Sequence, residues 1–288
     1  MNETTRETTV QESAGETKAV SAKNTLHQLR ENGAEPVRQT IRRVFSITED
    51  SASHEEIRDR LLSGGKVTGT NMCVMICAIV IASVGLNADS VAVIIGAMLI
   101  SPLMGSILAI AYGSVSNNVP LVRRHIIGFV LQIVISVLTA TLYFTLSPIK
   151  TPTPQLIART QPSFFDVLIA IAGGTAGIIG QTRQDKANNI IPGVAIATAL
   201  MPPLCTCGYS IATRQWAMLG GAAYLFAINT YFIFFSSSVV LSLLRIPKEK
   251  EMTAAQWKRM RRRMIRNTIL IVLPSIAISV FMVITQNI

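Results

Sequence analysis

Long apolar runs constrain this chain more than any other feature. From Val67 to Ile284, apolar runs of about 17–29 residues alternate with short polar connectors, and runs of that length are typical of helices that cross a bilayer. Only 15% of the residues are charged, whereas soluble domains carry roughly a quarter. The pattern predicts an all-α integral membrane protein with about seven transmembrane helices, over residues 67–86, 90–113, 125–146, 164–180, 190–213, 216–244 and 267–284.

The net charge of +10 is distributed unevenly among the connectors. With the N-terminus in the cytoplasm, the inner connectors hold most of the Lys and Arg residues, nine of them in 245–266 alone. The outer connectors hold only Lys150, Arg159 and Arg214. This asymmetry follows the positive-inside rule and predicts a multi-pass protein of the inner (cell) membrane with a cytoplasmic N-terminus. The positive charge then faces the lipid bilayer and its anionic headgroups, so nucleic acid is not an expected partner.

The N-terminal region predicts a small cytosolic segment. Its first 25 residues are rich in Thr and Glu and lack the apolar core of a signal peptide, so we expect disorder there. Ser53-His-Glu-Glu56 predicts a capping box that opens a short helix, and Gly64-Gly65 ends it. The predicted organisation is a cytosolic segment (1–65), a first three-span repeat (66–146), a second, inverted repeat (147–245), a basic cytosolic connector (246–266), and a seventh span with a tail (267–288).

An internal repeat supports that division. A shift of 101 residues places Pro102 on Pro203 and Asn87 on Asn188, and it carries the first three spans onto the next three. A unit of three spans crosses the membrane an odd number of times, so its second copy enters from the opposite side. Inverted repeats with interrupted helices at matching positions are typical of secondary transporters and related pores.

Prolines interrupt two predicted spans near their centres. They lie in "MLISPLMGSI" (98–107) and "ALMPPLCTCG" (199–208), within spans two and five. A proline inside a helix costs about 3 kcal/mol or more, and freed backbone groups in hydrocarbon must find partners. The two breaks are either kinks that serve helix packing or parts of a substrate path. Because they occur at matching positions of the two repeats, a path is favoured. Its candidate lining is Ser101, Pro102, Gly105, Pro202, Pro203, Thr206, Cys207 and Ser210.

Further residues have candidate roles outside the path. Asn87, Asp89 and Asp166 lie near the predicted outer surface and could form a vestibule for a cation, although capping of helices is the alternative for the two aspartates. A glycine-rich stretch in span four favours close packing of another helix. Its residues are Gly173, Gly174 and Gly177.

Several classes of function are disfavoured. No predicted span has an ionisable side chain near its centre, which argues against a proton relay. The chain has no arrangement of nucleophile and base and no metalloprotease motif, so we expect neither an enzyme nor a cofactor. The four cysteines all lie in predicted spans, where packing is favoured over a metal path.

Three blocks of sequence resemble a known family. They are "NADSVAVIIGAMLISPLMG", "IAGGTAGIIG" and "IPGVAIATALMPPLCT". In this order they are similar to the prokaryotic hydrophobic proteins catalogued as domain of unknown function 389, and the resemblance extends from about Asn71 to Leu244. It implies a multi-spanning inner-membrane protein. It implies no reaction, so no site residue is transferred from it.

The expected function follows from the repeat and its breaks. We expect a membrane transport protein, transporter or channel, for a small ion or polar solute, assembled as a homo-oligomer. The alternative is a membrane protein that transports nothing, such as a scaffold, a lipid-binding protein or a regulatory protein.

Overall fold

The computed structural model describes residues 51–183 and 200–248, together with Lys258, Arg262, Arg266 and Ile269. Within them the regular secondary structure is helical, apart from an isolated bridge between Ser51 and Arg183. The predicted N-terminal disorder, the first half of span five, and nearly all of the basic connector and span seven lie outside the described residues. The helices are α1 (His54–Gly64), α2 (Gly69–Asn87), α3 (Val91–Leu99), α4 (Leu103–Val115), α5 (Val119–Leu146), α6 (Pro154–Ala158), α7 (Phe164–Thr182), α8 (Met201–Ala212) and α9 (Trp216–Leu243).

Four of these helices, α2, α5, α7 and α9, are long and apolar enough to cross a membrane. Together α3 and α4 would make a fifth span, bent by 45°. The predicted class is confirmed for the described residues in its coarser form, an all-helical protein with helices long and apolar enough to span a membrane. The number of candidate spans is four or five there and not seven, because spans five and seven extend into residues outside that part.

Side chains cap the helices where the sequence predicts it. The hydroxyl of Ser53 accepts a hydrogen bond from the backbone N–H of Glu56 and opens α1, which ends at Gly64 with Gly65 as its C-cap. Ser163 and Asp166 form a capping box at the start of α7. Both predicted caps are confirmed. They satisfy backbone donors that have no partner within the helix.

The core is a ring of four helices. Helices α4 and α8 each pack against both α5 and α9, while α4 and α8 are not among the packed pairs of the described residues. The α2 helix packs on α5, and α7 packs on α9. Every residue from Leu200 to Ser210 is buried, so α8 lies at the centre of the fold. By contrast, α5 exposes a row of apolar side chains that includes Leu138 and Leu142, as a lipid-facing helix does.

The α1 helix closes one end of this ring. It packs against α4 and contacts the end of α7, where the Arg60 guanidinium donates to the carbonyl oxygen of Arg183. The Gly64–Gly65 turn lies against α4, since a Cβ at Gly65 would be 2.5 Å from the Cβ of Ala109. The His125 Nδ1 atom of α5 lies 3.1 Å from the carbonyl oxygen of Gly65. We call this end the α1 face and the opposite end, which holds α6, the α6 face.

Candidate functional site

The first interruption occurs where the sequence predicts it. Helix α3 ends at Leu99 and α4 begins at Leu103, with Pro102 at the N-cap. The Ser101 hydroxyl lies 3.5 Å from the backbone N–H of Leu103, and both Ser101 and Pro102 are half-buried. Proline has no N–H and disfavours a helical residue before it, which explains the break. The local sequence is therefore sufficient to explain why the helix breaks at this point.

A buried hydrogen bond fixes the depth of this break. The Ser106 hydroxyl donates to Oε1 of Gln132 at 2.8 Å, and both side chains are buried. Gln132 lies at the centre of α5. Since Pro102 precedes Ser106 by one turn, about 6 Å, the break lies near the middle of the long α5 helix.

The start of α8 lies at a similar depth. Gly208 packs against α5, because a Cβ there would be 2.7 Å from the backbone nitrogen of Thr141. One residue further, the ring of Tyr209 meets that of Phe144 edge to face with centroids 5.1 Å apart. Met201 precedes Gly208 by about 10 Å of helix, so α8 begins beside the central part of α5. The half-helices α4 and α8 thus start near the same depth and run toward opposite faces.

The prolines of the predicted second interruption lie in the first turn of α8. Pro202 and Pro203 follow Met201 directly, a position where a missing N–H costs no helical hydrogen bond. The hydroxyl of Thr206 donates to the carbonyl oxygen of Pro202 at 2.9 Å, and that of Ser210 donates to Thr206 at 2.7 Å. Residues 184–199, which precede α8, lie outside the described residues.

The predicted path residues form two groups. Ser101, Pro102 and Gly105 belong to the α3–α4 break, whereas the other group belongs to α8 and consists of Pro202, Pro203, Thr206, Cys207 and Ser210. Among the described residues, α4 and α8 are not one of the extensively packed helix pairs, and both groups pack instead on α5 and α9. Gly105 has a packing role in addition, since a Cβ there would lie 2.6 Å from the carbonyl carbon of Gly64.

Two further polar residues were missed by the sequence analysis. Gln132 and Asn229 are buried at the centres of α5 and α9, with 1% and 5% of their surface exposed. Each is the only Asn or Gln in its helix. An amide within an apolar span is costly unless it is hydrogen-bonded, so its place in the span is itself a signal of function or of helix association.

The predicted vestibule residues lie at the α6 face. The side-chain N–H of Asn87 donates to the Ser147 hydroxyl at 2.6 Å, which ties the end of α2 to the end of α5. Asp89 is exposed, with a φ of 52°, directly after α2. Asp166 caps α7 through Ser163. Burial lowers the pKa of Arg159, and the nearby Asp166 carboxylate opposes that shift.

The glycine-rich stretch of α7 lies against α9. Gly173, Gly174 and Gly177 are buried, and a Cβ at Gly174 would be 2.8 Å from the Cα of Ile233. The Ser237 hydroxyl donates to the carbonyl oxygen of Gly174 at 3.3 Å. The partner of this stretch is therefore α9, an uninterrupted helix. Contacts of this kind are typical of small residues between membrane helices.

The thiols and carboxylates do not form a metal centre in the described part of the chain. All four cysteines are free, with Cys73 and Cys77 exposed on α2 and Cys205 and Cys207 buried in α8. Among the described residues, no three side chains of His, Cys, Asp or Glu come close enough to hold a metal ion. The polar chemistry available at mid-depth is that of hydroxyls, amides and backbone groups at helix ends.

Comparisons with known proteins agree with the resemblance of the sequence blocks. A family model described as "Domain of unknown function (DUF389)" matches residues 98–235. The uncharacterized protein MJ0678 of Methanocaldococcus jannaschii is 26% identical over 212 residues, which cover 74% of this chain and 62% of that protein. The chain thus spans about three fifths of the length of this relative. No solved structure matches the chain. Over residues 98–235, just under half of its length, the chain is therefore similar to the proteins that carry domain of unknown function 389.

Proposed function

We propose that this protein is a membrane transport protein, transporter or channel, for a small ion or polar solute. The path passes the two mid-depth helix starts, of α4 and of α8. One observation carries the proposal: two half-length helices begin near the same depth and run in opposite directions, beside long helices whose centres hold the buried amides Gln132 and Asn229. Interrupted helices at this depth are found where backbone groups face a substrate or a wet cavity.

Corresponding helices support an inverted repeat. Helices α5 and α9 both have 28 residues, α2 and α7 both have 19, and α4 and α8 have 13 and 12. Both boundaries of α9 follow those of α5 by 97 residues (119 to 216 and 146 to 243). The turns before these two helices match as well, since Asn117 and Arg214 both have a φ of 57°. The helix boundaries of the two halves are 97 residues apart, whereas Pro102 and Pro203 are 101 residues apart. The two spacings differ because Pro102 precedes α4, while Pro203 lies within α8.

The corresponding residues of the two halves also meet. Phe129 of α5 and Phe226 of α9, again 97 residues apart, stack with ring centroids 6.1 Å apart. A contact between equivalent residues is expected on a pseudo-twofold axis. Because α4 leads into α5 and α8 leads into α9 through short turns, and α4 and α8 point to opposite faces, the two halves run in opposite senses. We therefore infer an inverted three-plus-three architecture with a seventh span.

The helix starts and amides suggest what the path accepts. Apart from the long hydrogen bond from the Leu103 N–H to the Ser101 hydroxyl, the backbone N–H groups in the first turn of α4 have no side-chain cap, and a helix N-terminus favours negative charge. In the first turn of α8 two of those donors are missing, because Pro202 and Pro203 have none. An amide such as that of Gln132 can both donate and accept. A small polar solute or anion fits this set of groups better than a large one.

We also propose a membrane location, a topology and an oligomeric state for this transport protein. The charge asymmetry supports a position in the inner membrane with the N-terminus in the cytoplasm, which makes the α1 face cytoplasmic. Glycine contacts between helices and the apolar face of α5 are compatible with a homo-oligomer embedded in lipid. We propose no catalytic activity and no cofactor.

Flux into liposomes tests the proposal. Purified protein is reconstituted, and re-swelling after hyperosmotic shock is followed by light scattering with urea, glycerol, potassium chloride and potassium formate. Valinomycin is present so that potassium accompanies any anion that permeates. At least one solute should re-swell the vesicles faster than protein-free liposomes. Gln132→Leu and Asn229→Leu should each slow that flux by about tenfold, the effect of losing a hydrogen bond of about 1.4 kcal/mol.

A matched control separates the path from general damage. Thr145→Val removes a hydroxyl that is exposed and bonded only within its own helix, to the carbonyl oxygen of Thr141. It should leave the flux unchanged. If wild-type vesicles match protein-free vesicles for every solute, the protein does not transport them. If a solute crosses wild-type vesicles and crosses vesicles of both Leu variants at the same rate, the path does not pass Gln132 or Asn229.

A further inference from the structure

An open surface groove of about 510 Å³ lies at the start of α5. Two arginines give it charge, and the rest of its lining is apolar: Val119, Pro120, Arg123, Arg124 and Ile127. Both arginine side chains are exposed. Within the described part of the chain, an ion pair joins Arg60 to Glu56 on α1, but neither Arg123 nor Arg124 pairs with a carboxylate. The groove therefore presents two adjacent positive charges that lack a counter-charge from those residues.

An exposed apolar stripe continues from the groove along α5. Ile127 follows Arg123 by four residues and Arg124 by three, and these spacings put side chains on one face of a helix. The same spacing continues through apolar side chains that are 46–63% exposed: Ile127, Leu131, Val134, Leu138 and Leu142. We call these five residues the α5 stripe. In the most apolar window of α5 22% is buried, against 39–61% in the other three long candidate spans, so this face is open to a lipid chain.

The two arginines lie at the depth of lipid headgroups. Gln132 is at the centre of α5, and Arg124 and Arg123 precede it by eight and nine residues. At 1.5 Å per residue their backbone lies about 12–14 Å from mid-depth. Half of the hydrocarbon core is about 15 Å thick. Because arginine side chains extend toward the polar layer, their guanidinium groups reach the level of the phosphates.

We propose that the groove and the α5 stripe bind one anionic phospholipid. Its phosphate lies between Arg123 and Arg124, and an acyl chain lies along the stripe. Guanidinium donors match phosphate oxygens in pairs. A zwitterionic lipid would bring its own cation to these two charges, so a lipid without one fits better. A second copy of the chain, inserted in the same orientation and packed stripe to stripe, would place its arginines at the same depth, and like charges disfavour that occupant.

Binding of defined lipids to the full-length protein tests the proposal, and it requires no measurement of transport. Protein in dodecyl maltoside is mixed with dioleoyl phosphatidylglycerol or dioleoyl phosphatidylcholine, and native mass spectrometry counts the lipids bound to each chain. Phosphatidylglycerol should bind several-fold more tightly. Arg123→Gln combined with Arg124→Gln should weaken its binding by roughly five- to twenty-five-fold, since each arginine near the membrane surface contributes about fivefold to the binding of an anionic lipid.

A matched double variant removes the same charge from the same face. Arg58→Gln combined with Lys66→Gln changes two exposed cations near α1 that do not line the groove. It should keep the affinity for phosphatidylglycerol within about twofold of wild type. An equal loss in the two double variants would overturn the proposal, because positive charge in general would then hold the lipid. Equal binding of the two lipids to wild type would overturn it too, as would displacement of the bound lipid by millimolar glycerol 3-phosphate.

Cross-linking tests whether a second copy covers the stripe instead. Leu138→Cys is introduced into a chain in which the exposed Cys73 and Cys77 are replaced by alanine. Oxidation with copper phenanthroline in phosphatidylglycerol liposomes should leave this variant without a disulfide between chains. Disulfide-linked dimers would show that the occupant of the stripe is another copy, and the lipid proposal would be wrong.

Discussion

The contact between α8 and α5 gives a sharp prediction for Gly208→Ala. A Cβ at Gly208 would meet the Cβ of Ala140 and would lie 2.7 Å from the backbone nitrogen of Thr141. Ordinary contacts between carbon atoms are about 3.5–4.0 Å. Because the clash involves the backbone of α5, no side-chain rotation relieves it. The two helices must move apart.

The magnitude follows from what that movement disturbs. Overpacking a helix contact costs about 1–3 kcal/mol. The edge-to-face pair of Phe144 and Tyr209 and the hydrogen bond from the Tyr209 hydroxyl to the carbonyl oxygen of Lys150 are adjacent to the contact. Each contributes about 0.5–1.5 kcal/mol. The expected loss is therefore about 2–6 kcal/mol.

A matched glycine provides the control. Gly220 lies in α9 with nothing within 4 Å of its missing Cβ. Gly220→Ala should stabilise the protein by about 0.5–1 kcal/mol through helix propensity, and the same gain applies at Gly208. The difference between the two variants then measures the clash alone. Unfolding by sodium dodecyl sulfate in mixed micelles, followed by circular dichroism, gives both free energies. Equal stability of the two alanine variants would refute the packing of α8 on α5.

Two further predictions concern α1 and the thiols. Gly105→Ala should displace the end of α1 and speed trypsin cleavage between α1 and α2 several-fold. Gly64→Ala is the control and should not change the cleavage rate, because its Cβ would lie 3.9 Å from the Cα of Gly105. Equal cleavage of the two variants would contradict the contact between Gly105 and Gly64. N-ethylmaleimide should label two thiols of the folded protein in detergent and four after unfolding. Substitution of Cys73 and Cys77 by Ala should remove the early reaction, and persistent labelling would show that the α8 thiols are accessible.

Local sequence predicted several elements correctly because their causes are local. Pro102 interrupts the second apolar run, since a proline cannot donate and constrains its neighbour, and α3 ends at Leu99 accordingly. The side-chain cap at Ser53 and the capping box at Ser163 involve atoms three residues apart. The length of the apolar runs predicted membrane-spanning helices, because bilayer thickness sets that length.

Contacts between distant residues required the tertiary structure. The hydrogen bond between Ser106 and Gln132, and the approach of Gly105 to Gly64, depend on how helices far apart in sequence pack. Neither the contact of Gly105 with Gly64 nor the bond of Gln132 to Ser106 follows from either helix read alone.

The sequence by itself determined that this chain is apolar, helical, interrupted at Pro102, and similar over residues 98–235 to the family with domain of unknown function 389. Only the tertiary structure decided which face of each helix is buried, and hence that α8 is enclosed while Leu138 of α5 is 63% exposed. The physical reason is the solvent. In lipid both faces of a helix are apolar, so hydrophobic periodicity does not distinguish the buried face, and small residues, hydrogen bonds and shape decide the packing.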